Sequence, residues 1–104
     1  MSEMTTEEYG LLGYAYGILC NQLPNDDSNP LTRPLNLQNA CERPQIGLTL
    51  AINKVHALHK VSKELDKKLM KILSQIDHYD EKCAVIPLAD QGVWWQGYYK
   101  ARTV

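Results

Sequence analysis

Tyr9, Leu12, Tyr16, Leu19 and Leu23 recur at spacings of three and four, the repeat of a single helix face. Just ahead of them Thr5-Thr6-Glu7-Glu8 reads as a capping box. Thr5 can cap, and Glu8 reaches back to the free backbone N–H, so a first helix starts here. Gly10, Gly13 and Gly17 fall on a different face and lower helix propensity. Small residues at such spacings allow a neighbouring helix or partner chain to approach closely. Gly13 and Gly17 are therefore candidate interface positions.

The stretch Pro24–Pro34 holds three prolines and the polar run Asn25-Asp26-Asp27-Ser28-Asn29. It has no apolar period and cannot continue a helix, which makes it a surface loop. Leu35–Glu42 suits a short helix or turn, and Pro44 suits the first turn of the next element. Ile46, Leu48, Leu50 and Ile52 alternate like a strand, yet the run continues into Val55, Leu58 and Val61 with good helix formers and no turn signal. Helix is the preferred assignment.

Leu58, Val61, Leu65, Leu69, Ile72 and Ile76 then fall on one face, with Lys60, Lys63, Lys67 and Lys71 on the opposite one. This amphipathic helix either continues the preceding one or breaks near His59–Ser62, where Ser62 can act as a cap. After a polar link at 77–82, Pro87 opens a last helix with Asp90 in its first turn and Lys100 and Arg102 near its end, as the helix dipole favours. The expectation is one all-α domain over residues 1–104, an antiparallel bundle of about four or five helices.

A chain of 104 residues has room for one modest core and little room for an enclosed active site. With 44% hydrophobic and 22% charged residues it has the composition of a folded globular protein. The formal charge of −1 hides a segregation: Glu3, Glu7, Glu8, Asp26 and Asp27 stand in residues 1–32 without a single Lys or Arg. Residues 54–71 carry six lysines against Glu64 and Asp66. One face can attract a polyanion while the whole stays near neutral. Met1–Glu8 is polar and acidic, and no run approaches the roughly 18 apolar residues of a membrane span. Neither a signal peptide nor a membrane helix is expected, and the expected location is cytoplasmic.

Cys20, Cys41 and Cys83 are widely spaced and suit reduced core thiols better than a disulfide framework. His56 and His59, with His78 or Cys83, form no complete zinc-ligand pattern. No local signature pairs a cysteine with a histidine for catalysis, and no phosphate-cradling glycine run is present. No metal, cofactor or enzymatic activity is expected.

Lys60, Lys63, Lys67 and Lys71, extended by Lys54, form the stronger signal. Neighbours in such a row lie about 5–6 Å apart and can follow a phosphate backbone without reading bases. A plain solvated face is the competing explanation. The segment Gln91–Arg102, QGVWWQGYYKAR, concentrates both tryptophans. Its aromatics can stack on bases or pack in a core or interface. Trp94 and Trp95 point about 100° apart; one is expected in the core, the other, with Tyr99, at a partner interface.

Two segments carry a family resemblance. Tyr9–Leu19, YGLLGYAYGIL, and Leu88–Arg102, LADQGVWWQGYYKAR, resemble the C-terminal helical region of the large subunit of type I-C CRISPR interference complexes. There a leucine-glycine helix opens the region and an acidic D/E-Q-G run followed by a G-Y-Y run closes it. Pro44–Ile76 is similar to the family's middle helices in length and pattern. Lys100 and Ala101 stand where the family often has His and Gln. In that family the region is also made as a free small subunit by internal initiation, and Met1 just before the capping box fits that.

The resemblance implies a non-catalytic helical small subunit, present in more than one copy. It would pack against the backbone and large subunits of a complex carrying crRNA and help hold the displaced single-stranded non-target DNA. Sequence would be read by guide pairing alone. Assigning the DNA contact to Lys54, Lys60, Lys63, Lys67 and Lys71 follows from the charge stripe and not from the family motif. A different class of function, a protein–protein adaptor or inhibitor using Gly13, Gly17, Trp95 and Tyr99, fits the same composition.

Overall fold

The computed structural model describes residues 6–23, 30–58, 61–76 and 86–103. Five α-helices occupy them: α1 (Thr6–Cys20), α2 (Pro34–Glu42), α3 (Pro44–Ala57), α4 (Lys63–Ser74) and α5 (Gln91–Arg102). Single 3-10 turns stand at Pro30–Thr32 and Leu88–Asp90. No strand occurs among the described residues, and the architecture is a small all-α bundle. Thr5, residues 24–29, His59, Lys60, the link at 77–82 and Cys83 lie outside the described residues.

The centre of the molecule is α1. Leu12, Leu19 and Cys20 have no exposed surface, and the helix packs most extensively on α5, then on α3 and α4. Gly10 faces Val93, Gly13 faces Trp94, and Gly17 faces Tyr98 and Ala101. Numbers rise together on both sides, so α1 and α5 run parallel. The antiparallel arrangement expected from the sequence does not hold for this pair. Antiparallel neighbours come from short loops, whereas α2, α3 and α4 intervene here and carry the chain back to its starting end.

The glycines explain the closeness of the pair. A Cβ at Gly17 would lie 2.7 Å from that of Ala101 and 2.8 Å from the Tyr98 carbonyl oxygen. Gly97 of α5 meets the Gly10 carbonyl in the same way. At the far end Arg102 Nη1 donates to Asn21 Oδ1 at 2.7 Å, and Asn21 Nδ2 donates to the Ala101 carbonyl at 2.8 Å. Glycine contact and polar clasp together fix the register of the two helices.

The helix between Pro44 and Ala57 settles the strand-like alternation. Leu48, Ala51 and Val55 form its buried face, while Ile46 and Leu50 remain 41% and 61% exposed. Pro34 and Pro44 each open a helix, where their missing N–H has no partner to lose. Within the surface loop expected over 24–34, Pro30–Thr32 form a 3-10 turn: Leu31 is buried, and the Tyr16 hydroxyl donates to its carbonyl at 2.8 Å. Asp90 precedes α5 in the 3-10 turn instead of lying in the helix's first turn.

The long amphipathic stripe is broken. Ser62 accepts a hydrogen bond from Leu65 N at 3.1 Å and caps α4, as an N-terminal serine does. Leu58 closes α3 with 44% of its surface exposed. It does not belong to the buried face of α4, which Leu65, Leu69 and Ile72 supply.

Candidate nucleic-acid interface

With its cap at Ser62, α4 places its buried leucines against the bundle and turns Lys63, Lys67 and Lys71 outward; all three are exposed. Four residues of helix rise about 6 Å, so the three side chains leave the helix in a row of that spacing along one edge. Glu64 and Asp66 stand in the first turn and Lys71 in the last, the favourable sense for the helix dipole. Both acids are exposed and dilute the row at its start. The row can attract a polyanion along its length and offers no group that discriminates one base from another.

The other lysines separate from this row. Lys54 belongs to α3 and lines a cleft of about 600 Å3 between α2 and α3, with Leu31, Ile46, Leu50 and Arg43. It does not extend the α4 row, because α3 ends at Ala57 and a separate helix begins at Lys63. Lys68, which lies off the row that the helical repeat marks, is also exposed, on the side of α4 facing α1.

The tryptophan-rich helix divides as its geometry requires. Trp94 is 1% exposed and stacks on Tyr98, with centroids 5.6 Å apart and planes within 5°. Tyr16 packs on both rings, and burial pushes the phenols of Tyr16 and Tyr98 up from their ordinary value. These rings are core and have no face for a base. Trp95 is half-buried with its edge on Trp94, and it stacks on Tyr99, which is 58% exposed. Tyr99 therefore stands at the surface, and Trp95 lies between it and the core.

Gly13 and Gly17, expected at an interface with another chain, are buried against α5 of the same chain. The close approach read from their spacing is real, but its partner is intramolecular. Arg102 is likewise committed to the clasp with Asn21 and is not a spare cation beside the aromatics.

Cys20 and Cys41 are free, buried thiols. Burial pushes the Cys20 thiol up to about 12 and the Cys41 thiol up to about 11, which is opposite to the activation of a nucleophile. His56 is exposed at the end of α3. Among the described residues no three His, Cys, Asp or Glu side chains gather in a way that holds a metal ion. No helix of the described residues is long and apolar enough to cross a membrane. Comparison with protein-family profiles, with curated proteins and with solved structures finds no match.

Proposed function

We propose that this chain is a non-catalytic small subunit of a crRNA-guided type I-C CRISPR interference complex, cytoplasmic and present in more than one copy. It packs along the backbone and large subunits and steadies the displaced non-target strand by contacts to its phosphates. The observation that carries the DNA contact is the exposed row Lys63, Lys67 and Lys71 on α4, backed by a buried apolar face. Such a row gains affinity by counterion release and is indifferent to sequence. The assembly role is supported by the resemblance of the two end segments. Those segments are α1 and α5, and they meet through Gly10, Gly13, Gly17 and Gly97, so the residues carrying the likeness form one packed unit.

Two experiments test this reading. Expressed with the other subunits, the tagged chain is expected to copurify with a guide RNA and a multi-copy backbone protein; their absence would contradict the assembly role. Charge reversal at Lys63 and Lys67 is expected to weaken target-DNA binding by the complex without unfolding the chain.

A protein–protein adaptor or inhibitor without nucleic-acid contact is the second reading, favoured by the Trp95–Tyr99 stack on the outer face of α5. It predicts loss of a partner in Trp95→Ala and no effect of the lysine reversal.

A further inference from the structure

Both α4 and α5 pack on α1, and between them runs a groove floored by α1. It consists of two hollows of about 540 and 280 Å3 that share Leu11, Tyr14 and Gln75. The larger lies within the roughly 300–1,000 Å3 range of small-ligand sites. Lys68 and Lys71 stand on the α4 bank and Lys100 on the α5 bank, all exposed. Glu7 lies toward the other end, about two helical turns from Tyr14. Cations thus flank the part of the groove where Tyr14 sits.

Tyr14 is half-buried and packs on the core from its edge. Among the described residues the ring-to-ring contacts join Tyr16, Trp94, Trp95, Tyr98 and Tyr99, and Tyr14 is outside that cluster. An aromatic floor between lysine banks is the combination with which sequence-tolerant proteins hold single strands, the ring taking a base and the cations its phosphates. Charge selects the occupant: three lysines around Tyr14 favour a polyanion over an apolar protein helix.

We infer that the α4–α5 groove binds a single nucleic-acid strand, with one base stacked on Tyr14 and the adjoining phosphates held by Lys68, Lys71 and Lys100. This rests on the reading that the chain contacts single-stranded nucleic acid, and it adds a base contact to the phosphate row. Lys71 belongs to both, at the rim where the outer face of α4 turns into the groove.

The test uses the full chain with two fluorescent probes of equal length and charge, an oligothymidylate and an abasic strand. The wild type is expected to prefer the base-bearing strand. Tyr14→Leu, which keeps an apolar side chain at the site, is expected to lose at least about fivefold in affinity for thymidylate and little for the abasic strand. Tyr14→Phe is expected to keep the preference, and Lys68→Gln with Lys71→Gln to weaken both probes. Melting curves establish that each variant is folded, and Tyr14→Met, which also removes the ring, carries the comparison if the leucine variant is not. A wild type without preference, or a Tyr14→Leu variant that retains it, overturns the groove. If the lysine variants still weaken both probes, the phosphate contact stands without it. If neither probe binds, or Lys63 and Lys67 reversal is also silent, the nucleic-acid reading fails as a whole. Loss of a copurifying protein in Tyr14→Leu, with both probes unaffected, would assign the groove to a protein helix and overturn the inference.

Discussion

The parallel α1–α5 contact makes a prediction in which two Gly→Ala substitutions act with opposite sign. In an unobstructed helix interior the change stabilises by about 1 kcal/mol, because alanine loses less backbone freedom. At Gly13 the new Cβ would meet the Trp94 carbonyl oxygen and lie 2.8 Å from the carbonyl carbon and 3.1 Å from Cα. These are backbone atoms that no rotamer change can move, so the two helices must separate. Overpacking of this kind costs about 1–3 kcal/mol, and separation also loosens the packing around Trp94. Against the gain of about 1 kcal/mol, overpacking alone leaves a loss of up to about 2 kcal/mol. The loosened packing around Trp94 brings the net loss at Gly13→Ala to at least about 1 kcal/mol, or about 4–8 °C of melting temperature for a domain near this size. Gly92 is exposed and its Cβ would meet nothing within 4 Å. Gly92→Ala is expected to stabilise by up to about 1 kcal/mol. Urea and thermal unfolding, followed by circular dichroism and tryptophan fluorescence at one protein concentration, measure both. A Gly13→Ala variant as stable as the wild type, or a Gly92→Ala variant destabilised as much as it, would refute the close packing.

Ser62→Ala is expected to destabilise by about 1 kcal/mol through loss of the bond to Leu65 N. Ser62→Asp should retain the cap and gain from the helix dipole; an unchanged urea midpoint in Ser62→Ala would mean the cap contributes nothing. Cys20 and Cys41 keep their protons in the folded chain above the ordinary thiol value of 9.0. The unfolded chain releases them from about that pH, so unfolding sheds protons and stability falls as pH rises from about 9 toward 12. Urea midpoints on either side of pH 9 should show the decline, and Cys20→Ala should reduce it; indifference to alkali would contradict the buried, neutral thiols. In the native state these thiols should react slowly with a colorimetric thiol reagent and promptly once urea unfolds the chain.

The helices were legible where periodicity and punctuation agree. The Tyr9–Leu23 stripe marks α1, Pro44 marks the start of α3, and Ser62 is visible as a possible cap, whereas Pro34, assigned to the loop, opens α2. The strand-like alternation in α3 arises because Ile46 and Leu50 line an open cleft and stay exposed. Apolar residues there do not report the buried face, which only the Leu48, Ala51 and Val55 spacing reveals. The glycine spacing signals a close approach but not its partner, since contacts between residues about 80 positions apart depend on the path of α2–α4. Direction suffers in the same way: local pattern does not encode whether α1 and α5 run parallel.

Of the candidate interface, the outward Lys63, Lys67 and Lys71 follow directly from the helical repeat. Lys54 does not join them, because it stands on α3 and the row stands on α4. Tyr14 escaped notice because almost every position of α1 is apolar or glycine, leaving no contrast between faces. Its place opposite the main stripe, in step with Leu11 and Ile18, is the signal that marks it.

The salt dependence of target-DNA binding by the assembled complex, compared between the wild type and Lys63→Glu with Lys67→Glu, decides whether the α4 row touches nucleic acid. Each single-strand phosphate contact contributes about −0.7 to the slope of log affinity against log salt. Reversal of both lysines should therefore weaken binding and make the slope shallower by about 1.4, while the melting curve of the chain stays unchanged because both side chains are exposed. Unaltered affinity and an unaltered slope would make the row a solvated helix face and contradict a role in holding the displaced strand.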